Sequence, residues 1–468
     1  MSDKVNVVRL TPLDVIMPPT YAGVLLTFET TQSTHVIENN LQHGIDKLVT
    51  AMPWLAGRVY RTAPAEGNLS LELRWSQDGT RCTLFNKGSI PNAYLSNSDA
   101  GMSPEVIPAN IWPVPFSLDD ETWAAGVPVF STSFFQFADK QGVGLCICVH
   151  HNVVDASGLS HIITLWAKYL SEDLDTGLIL ELDSMGRLSK ALNPQLEALS
   201  SQSKETLFEA HPEYSTSPPA LPTEFVPSAC KLFRIPITSI NETKTLIKDH
   251  TASDPSTNTT LCALLWSTIT AARRKRNPAL TEQTSKLIMA VNGRCRIGHD
   301  FSTLNHPYLS NLILYSLASF SSRDLIAAGD SKDMKVLAQI CASIAESKSL
   351  DSINAKSIAE VYRLVESVDR NTTIFPGWDL FGSRDLTVTS WADLPLYEMD
   401  FGPGLGRPQH IRAPYSPADG VCLIMPRKRS DQTAAGKVEL LDVMVMLRQD
   451  DMDALLQSWL GKSLVAVF

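Results

Sequence analysis

The spacing of apolar positions divides the chain into a strand-rich first third, a polar middle and a long alternating tail. Residues 21–29 (YAGVLLTFE) are a run of strand formers. Between residues 34 and 52, Val36, Ile37, Leu41, Ile45 and Leu48 recur near helical spacing, and Pro53 ends the helix. GRVYRT (57–62), LSLELRW (69–75), VFSTSFFQFA (129–138) and GVGLCICVH (142–150) read as further strands, the last two joined by a DKQG hairpin turn. Leu159, Ile162, Ile163, Trp166 and Leu170 then share one helical face.

From 171 to 225 the apolar period fades and Ser, Pro, Thr and Glu dominate, so residues 200–226 read as a crossover between domains. Strand signals resume in CKLFRIPI (230–237). A helix spans 257–276, a strand KLIMAVNGRCRI (286–297), and the tail alternates helix and strand to its end. At 468 residues the chain exceeds what one core ordinarily organises. The expected fold is α/β: two similar-sized domains, 1–199 and 227–468, with mixed β-sheets flanked by helices.

Composition narrows the partners. Hydrophobic residues make up 44% of the chain and charged residues 19%, as in a well-buried globular protein. A formal net charge of −10 weighs against nucleic acid or an anionic membrane as the main partner. The eight cysteines are scattered through apolar stretches, with no CxxC pair and no zinc-ligand spacing, so buried reduced thiols and no metal are expected. The opening MSDKVNVVRLTPLD has no charged region followed by an apolar one, and no apolar run approaches the ~18 residues of a membrane helix. A soluble, cytoplasmic protein is expected.

The chemistry concentrates in CVHHNVVDASG (148–158), at a strand-to-helix junction where a side chain can stand free in a cleft. Histidine is the natural general base near neutral pH. Alternation does not decide whether His150 or His151 points outward. Asp155 either orients an imidazole, as in a triad, or caps the helix that begins near Ala156.

This stretch resembles the HxxxD signature of the BAHD acyltransferase superfamily, and further segments follow in that family's order. LTPLD (10–14), MPWLAGRV (52–59), AVNGRCRI (290–297) with YLSN (308–311), VTSW (388–391) and LYEMDFGPG (396–404) are similar to its landmarks. The N-terminus and loop spacing look most like the fungal, trichothecene-acetyltransferase-like branch. Three positions depart from the pattern: Pro403 replaces a tryptophan, Asn292 an aspartate and Ser310 a glycine.

The resemblance implies a chloramphenicol-acetyltransferase-like pair of domains with an active-site channel at their interface. It implies His151 as the base and Asp155 as a strut paired with Arg294 or Arg296, with Asp400 a further ion-pair or capping residue. Thr389 and the Trp391 indole match positions that stabilise the oxyanion, and Ser390 lies between them beside acyl-CoA. Thr259 and Thr260, at a helix start, are candidate contacts to coenzyme A phosphates; the basic run ARRKR (272–276) at the far end of that helix is a weaker one. Tyr21 is a candidate wall of the acceptor pocket. The implied activity is acyl-CoA-dependent acylation, with acetyl-CoA the first donor to consider and a hydroxyl or amine of a terpenoid, alkaloid or polyketide as acceptor, by a monomer without metal. Two rivals share the motif: a condensation-type enzyme that takes its acyl group from a carrier protein, and a non-catalytic binding protein.

Overall fold

The computed structural model describes residues 5–62, 71–76, 81–99, 101–171, 184–251, 254–368, 374–429, 439–463 and 465–467. A five-stranded sheet organises the first part, with edge-to-edge order His410–Arg412, Tyr21–Glu29, Gly142–His150, Phe130–Phe137 and Leu84–Ile90. Tyr21–Glu29 runs antiparallel to Gly142–His150, with Tyr21 opposite His150. A small sheet of Val5–Arg9, Leu71–Ser76, Arg58–Arg61 and Val127–Pro128 lies beside it. In the hairpin before Gly142, Lys140 takes a left-handed φ of 57° and Asp139 accepts the Gln141 amide.

The second part is built on seven strands, ordered Ile313–Ser321, Thr284–Asn292, Leu386–Ser390, Val421–Ile424, Leu440–Arg448, Ser228–Pro236 and Val465–Val467. The first three neighbours include both hands of pairing: Thr284–Asn292 is antiparallel to Ile313–Ser321 and parallel to Leu386–Ser390. The sheets are therefore mixed, as the pattern predicts. Helix Thr257–Arg276 packs centrally here, buried on almost every side, and Ser256 caps it by accepting the Thr259 amide at 3.1 Å.

Three apolar clusters form the core, one for each large sheet and a third between helices Pro12–Val15, Ser184–Ala198, Lys204–Ala210 and Ala355–Ser367. Part of the expected crossover is thus a helix, Lys204–Ala210, whose Leu207 is buried. On helix Ala156–Ser171 the predicted face is the buried one: Leu159, Ile162, Ile163 and Trp166 all lie inside. Complete burial of such a side chain contributes about 1.5–3 kcal/mol.

The chain does not keep its two parts apart. Residues 410–412 leave the second sheet's neighbourhood and add the edge strand beside Tyr21–Glu29. Leu396, Tyr397, Met399, Phe401 and Leu405 pack into the first cluster. Arg412, fully buried, pairs with Asp442 of the second sheet at 2.8 Å.

Candidate functional site

Strand Gly142–His150 is buried along its whole length, on both faces. That is why alternation cannot sort the two histidines. His150 is the last strand residue and belongs to the core: it is 0% exposed, with the Tyr21 and Trp123 rings edge-on at 5.5 Å each. Burial pushes its pKa down to about 3, so it stays neutral.

His151 is half-buried and lies just past the strand end, its amide donating to the Thr20 carbonyl at 2.8 Å. Among the described residues its Nδ1 is buried without a hydrogen-bond partner, whereas Nε2 is neither sealed nor hydrogen-bonded. Nε2 is the ring nitrogen that a substrate can reach.

Asp155 turns the other way and makes no hydrogen bond to either histidine. One carboxylate oxygen accepts the Gly158 amide (2.9 Å) and Arg294 Nη2 (3.0 Å); the other accepts Arg294 Nη1 (2.8 Å) and the Leu312 amide (3.0 Å). The cap and the strut are one residue. Arg294 spends its remaining N–H groups on the carbonyls of Tyr308 and Ser310 and on Asn292 Oδ1, so all five donors are satisfied. Gly158 lets loop 308–312 come this close, since a Cβ there would stand 2.1 Å from the Leu309 carbonyl oxygen.

Asn292, where the resemblance implies an aspartate, has both ends of its amide hydrogen-bonded. Its oxygen accepts the Arg294 amide and Nη1, and its Nδ2 donates to Ser157 Oγ at 3.0 Å. The strand ends here instead of continuing through GRCRI, because Asn292 and the bond from the Gly293 amide to the Leu312 carbonyl turn the chain into the one-turn helix Arg294–Ile297. This turn aims Arg294 inward at Asp155. Arg296 points elsewhere and donates to the Lys348 carbonyl at 2.9 Å; no acid among the described residues pairs with it.

Strand Leu386–Ser390 runs parallel to Thr284–Asn292, in register Met289 opposite Val388. The two strands end at the same edge of the sheet, where Asn292 touches Ser157 of the histidine-bearing part. Thr389 is half-buried, Ser390 exposed and Trp391 buried against the first cluster. These three residues therefore stand at the seam between the two parts.

Other expected residues lie differently. The Thr259 and Thr260 hydroxyls are buried and bonded to Ser256, the true cap one turn earlier. In the basic run, Arg273, Arg274 and Arg276 pair with Asp419, Asp330 and Asp451, at 3.3, 2.8 and 2.8 Å. Asp400 takes the capping alternative, accepting the Gly402 amide at 2.9 Å, and no cation among the described residues pairs with it. Beyond it, the chain doubles back through three glycines with positive φ, Gly402, Gly404 and Gly406, and Pro403 sits exposed on the outside, where its ring meets no demand for an N–H. Tyr21 is a core residue that donates to the Pro128 carbonyl at 2.8 Å. Beside it Thr20 donates to the Phe116 carbonyl at 2.6 Å, and Trp112 lies edge-on to Phe116.

Among the described residues no cluster of three or more His, Cys, Asp or Glu side chains could hold a metal, and no helix is long and apolar enough to cross a membrane. A small cavity of about 30 Å³ lies behind the histidine loop, lined by Arg9, Asp14, Trp54, Trp75 and Ser310 among others; His151 does not line it.

Comparison with known proteins places these features in context. The model of the family described as "Transferase family" matches residues 3–459. The O-acetyltransferase ptmV of Penicillium ochrochloron is 26% identical over 96% of this chain and 94% of its own. The trichothecene 8-O-acetyltransferase of Fusarium sporotrichioides is 23% identical over 96% of this chain and 97% of its own. Among solved structures, F. graminearum TRI101 complexed with coenzyme A and T-2 mycotoxin superposes with a TM-score of 0.81 at 17% identity, covering 99% of this chain and all of that one.

Proposed function

Because the chain belongs to the Transferase family, we propose that it is an acyl-CoA-dependent O-acyltransferase that acetylates a hydroxyl of a fungal specialised metabolite. Support comes from relatives named as O-acetyltransferases across nearly their whole length and from the coenzyme A bound to the TRI101 fold. The observation that carries the reading is His151: one ring nitrogen sealed, the other open, at a seam that Asp155 and Arg294 hold rigid.

In this mechanism Nε2 of His151 takes the proton of the acceptor hydroxyl as its oxygen attacks the thioester carbonyl. The Thr389 hydroxyl and the Trp391 indole N–H donate to the oxyanion that forms, a contribution of about 3–4 kcal/mol per preorganised donor set. The C–S bond then breaks, and the imidazolium returns its proton to the leaving thiolate. The products are an ester and free coenzyme A. No acyl-enzyme forms; seven of the eight cysteines are buried and all are unpaired. Asp155 is architectural, and acetyl is the first donor group to test. The enzyme works as a monomer in the cytoplasm.

The test is thiol release from acetyl-CoA with a panel of terpenoid, alkaloid and polyketide alcohols, wild type against His151→Ala. Acceptor-dependent release that falls by about 100-fold or more in the mutant is expected. Failure of the folded wild type to bind coenzyme A would overturn the reading and bring carrier-protein donors or non-catalytic binding forward.

A further inference from the structure

Behind the histidine loop a second carboxylate is buried with no cation from the described residues. Asp14 is 1% exposed and lies in the one-turn helix Pro12–Val15. Its Oδ2 accepts the amide (2.9 Å) and the hydroxyl (2.6 Å) of Thr11; its Oδ1 accepts the amide and the side-chain nitrogen of Asn311, both at 2.8 Å. Thr11 Oγ1 itself accepts the Asp14 amide, so its proton faces the carboxylate. All four contacts are donors, the environment of an ionised group.

A capping box accounts for the Thr11 side alone. A four-residue helix gives little reason to bury a charge. The other side leads to the base. Asn311 Nδ2 has two hydrogens: one goes to Asp14, the other to the carbonyl of His151 at 2.8 Å. The next residue, Asn152, donates back to the carbonyls of Asp14 (2.7 Å) and Met17 (2.8 Å).

We propose that Asp14 is a positioning residue for acyl transfer: its carboxylate fixes Asn311, Asn311 fixes the backbone of His151, and the imidazole is thereby held in its working orientation. This rests on the acyltransferase reading above. The titratable and charged groups around Asp14 are Tyr308, the Asp155–Arg294 pair, Arg9 across the cavity, Tyr362 on the helix packed against Pro12–Val15, and His150 and His151 on the loop. No cation among the described residues pairs with Asp14. Burial pushes its pKa up to about 6, against the lowering effect of the Thr11 and Asn311 hydrogen bonds. Below that pH the added proton faces a donor, and the hold on Asn311 loosens.

The experiment measures kcat and KM for acetyl-CoA as a function of pH, using the best alcohol of the panel. On the acid side, kcat of the wild type is expected to fall more steeply than that of Asp14→Asn, by the proton that Asp14 takes up. Folded Asp14→Asn is expected to lose about ten- to a hundredfold in kcat with KM changed less than about threefold, and to show a shallower acid limb than the wild type. Asn311→Ala, which leaves the Thr11 cap intact, is expected to show the same kcat loss, and the double variant no further loss. A wild-type acid limb no steeper than that of Asp14→Asn, or folded variants whose kcat stays within about twofold of the wild type, overturns the proposal. A wild type without His151-dependent thiol release overturns the acyltransferase reading instead and takes this inference with it.

Discussion

Replacing Arg294 by alanine isolates the strut behind the base. The guanidinium and the Asp155 carboxylate are almost wholly buried, with side chains 5% and 0% exposed. The substitution removes both charge-assisted bonds and leaves Asp155 with only the Gly158 and Leu312 amides. It also strips the carbonyls of Tyr308 and Ser310 of their donor. Breaking one side of a buried pair typically costs about 3–5 kcal/mol, and two orphaned carbonyls place this case at the upper end. Arg294→Lys should recover only a fraction, because an ammonium cannot span both carboxylate oxygens and two carbonyls together. The assay is urea unfolding followed by tryptophan fluorescence and circular dichroism, for Arg294→Ala, Asp155→Ala and the double variant. The double variant should be less destabilised than the sum of the singles, since the unpaired charge is gone. A loss under about 1 kcal/mol for Arg294→Ala, or strict additivity, would refute the reasoning.

Trp391→Phe keeps most of the packing but removes the indole N–H, so kcat should fall by about 100-fold with KM for acetyl-CoA little changed; an unaltered kcat removes Trp391 from the oxyanion site. Stability should depend on pH through His150, whose folded pKa is lowered to about 3 from 6.5. Its contribution is complete above pH 6.5 and is lost as pH falls toward 3, on the order of 5 kcal/mol; His150→Gln should flatten that slope in urea midpoints while thiol release retains its pH profile. Asp14 works in the opposite sense, its pKa raised from 3.8 to about 6. Stability should fall by about 3 kcal/mol as pH rises through that window, and Asp14→Asn should lose this trend.

Much of this fold is written in the periodicity of the chain, because half-buried helices such as Ala156–Ser171 repeat their apolar positions at helical spacing. The strand carrying the histidines is legible as a strand for a different reason, its unbroken apolar run, and that same run hides which histidine emerges. The residues alone left Asp155 open between a triad member and a cap; it is the cap, and the same carboxylate makes the ion pair that the resemblance implied. What sequence spacing does not reveal is pairing across distance. The acids that absorb the basic run lie 56–175 residues away. Asp14 and Asn311 are 297 residues apart, and LTPLD announces only its local cap. Thr259 and Thr260 looked like free donors because a helix start was placed correctly but its capping serine was not weighed.

The strand His410–Arg412 has a consequence for anyone who would rebuild this protein. A nascent chain that has emerged only through residue 226 lacks the edge of its first sheet and the Phe401 side chain that packs on Phe28 and Trp166. The first half cannot finish folding until nearly the whole polypeptide has left the ribosome, so a long interval of synthesis passes with Tyr21–Glu29 open at its side. Chimaeras that exchange first halves between relatives should therefore carry residues 396–413 with them, as a piece of the donor's first half that happens to be encoded late.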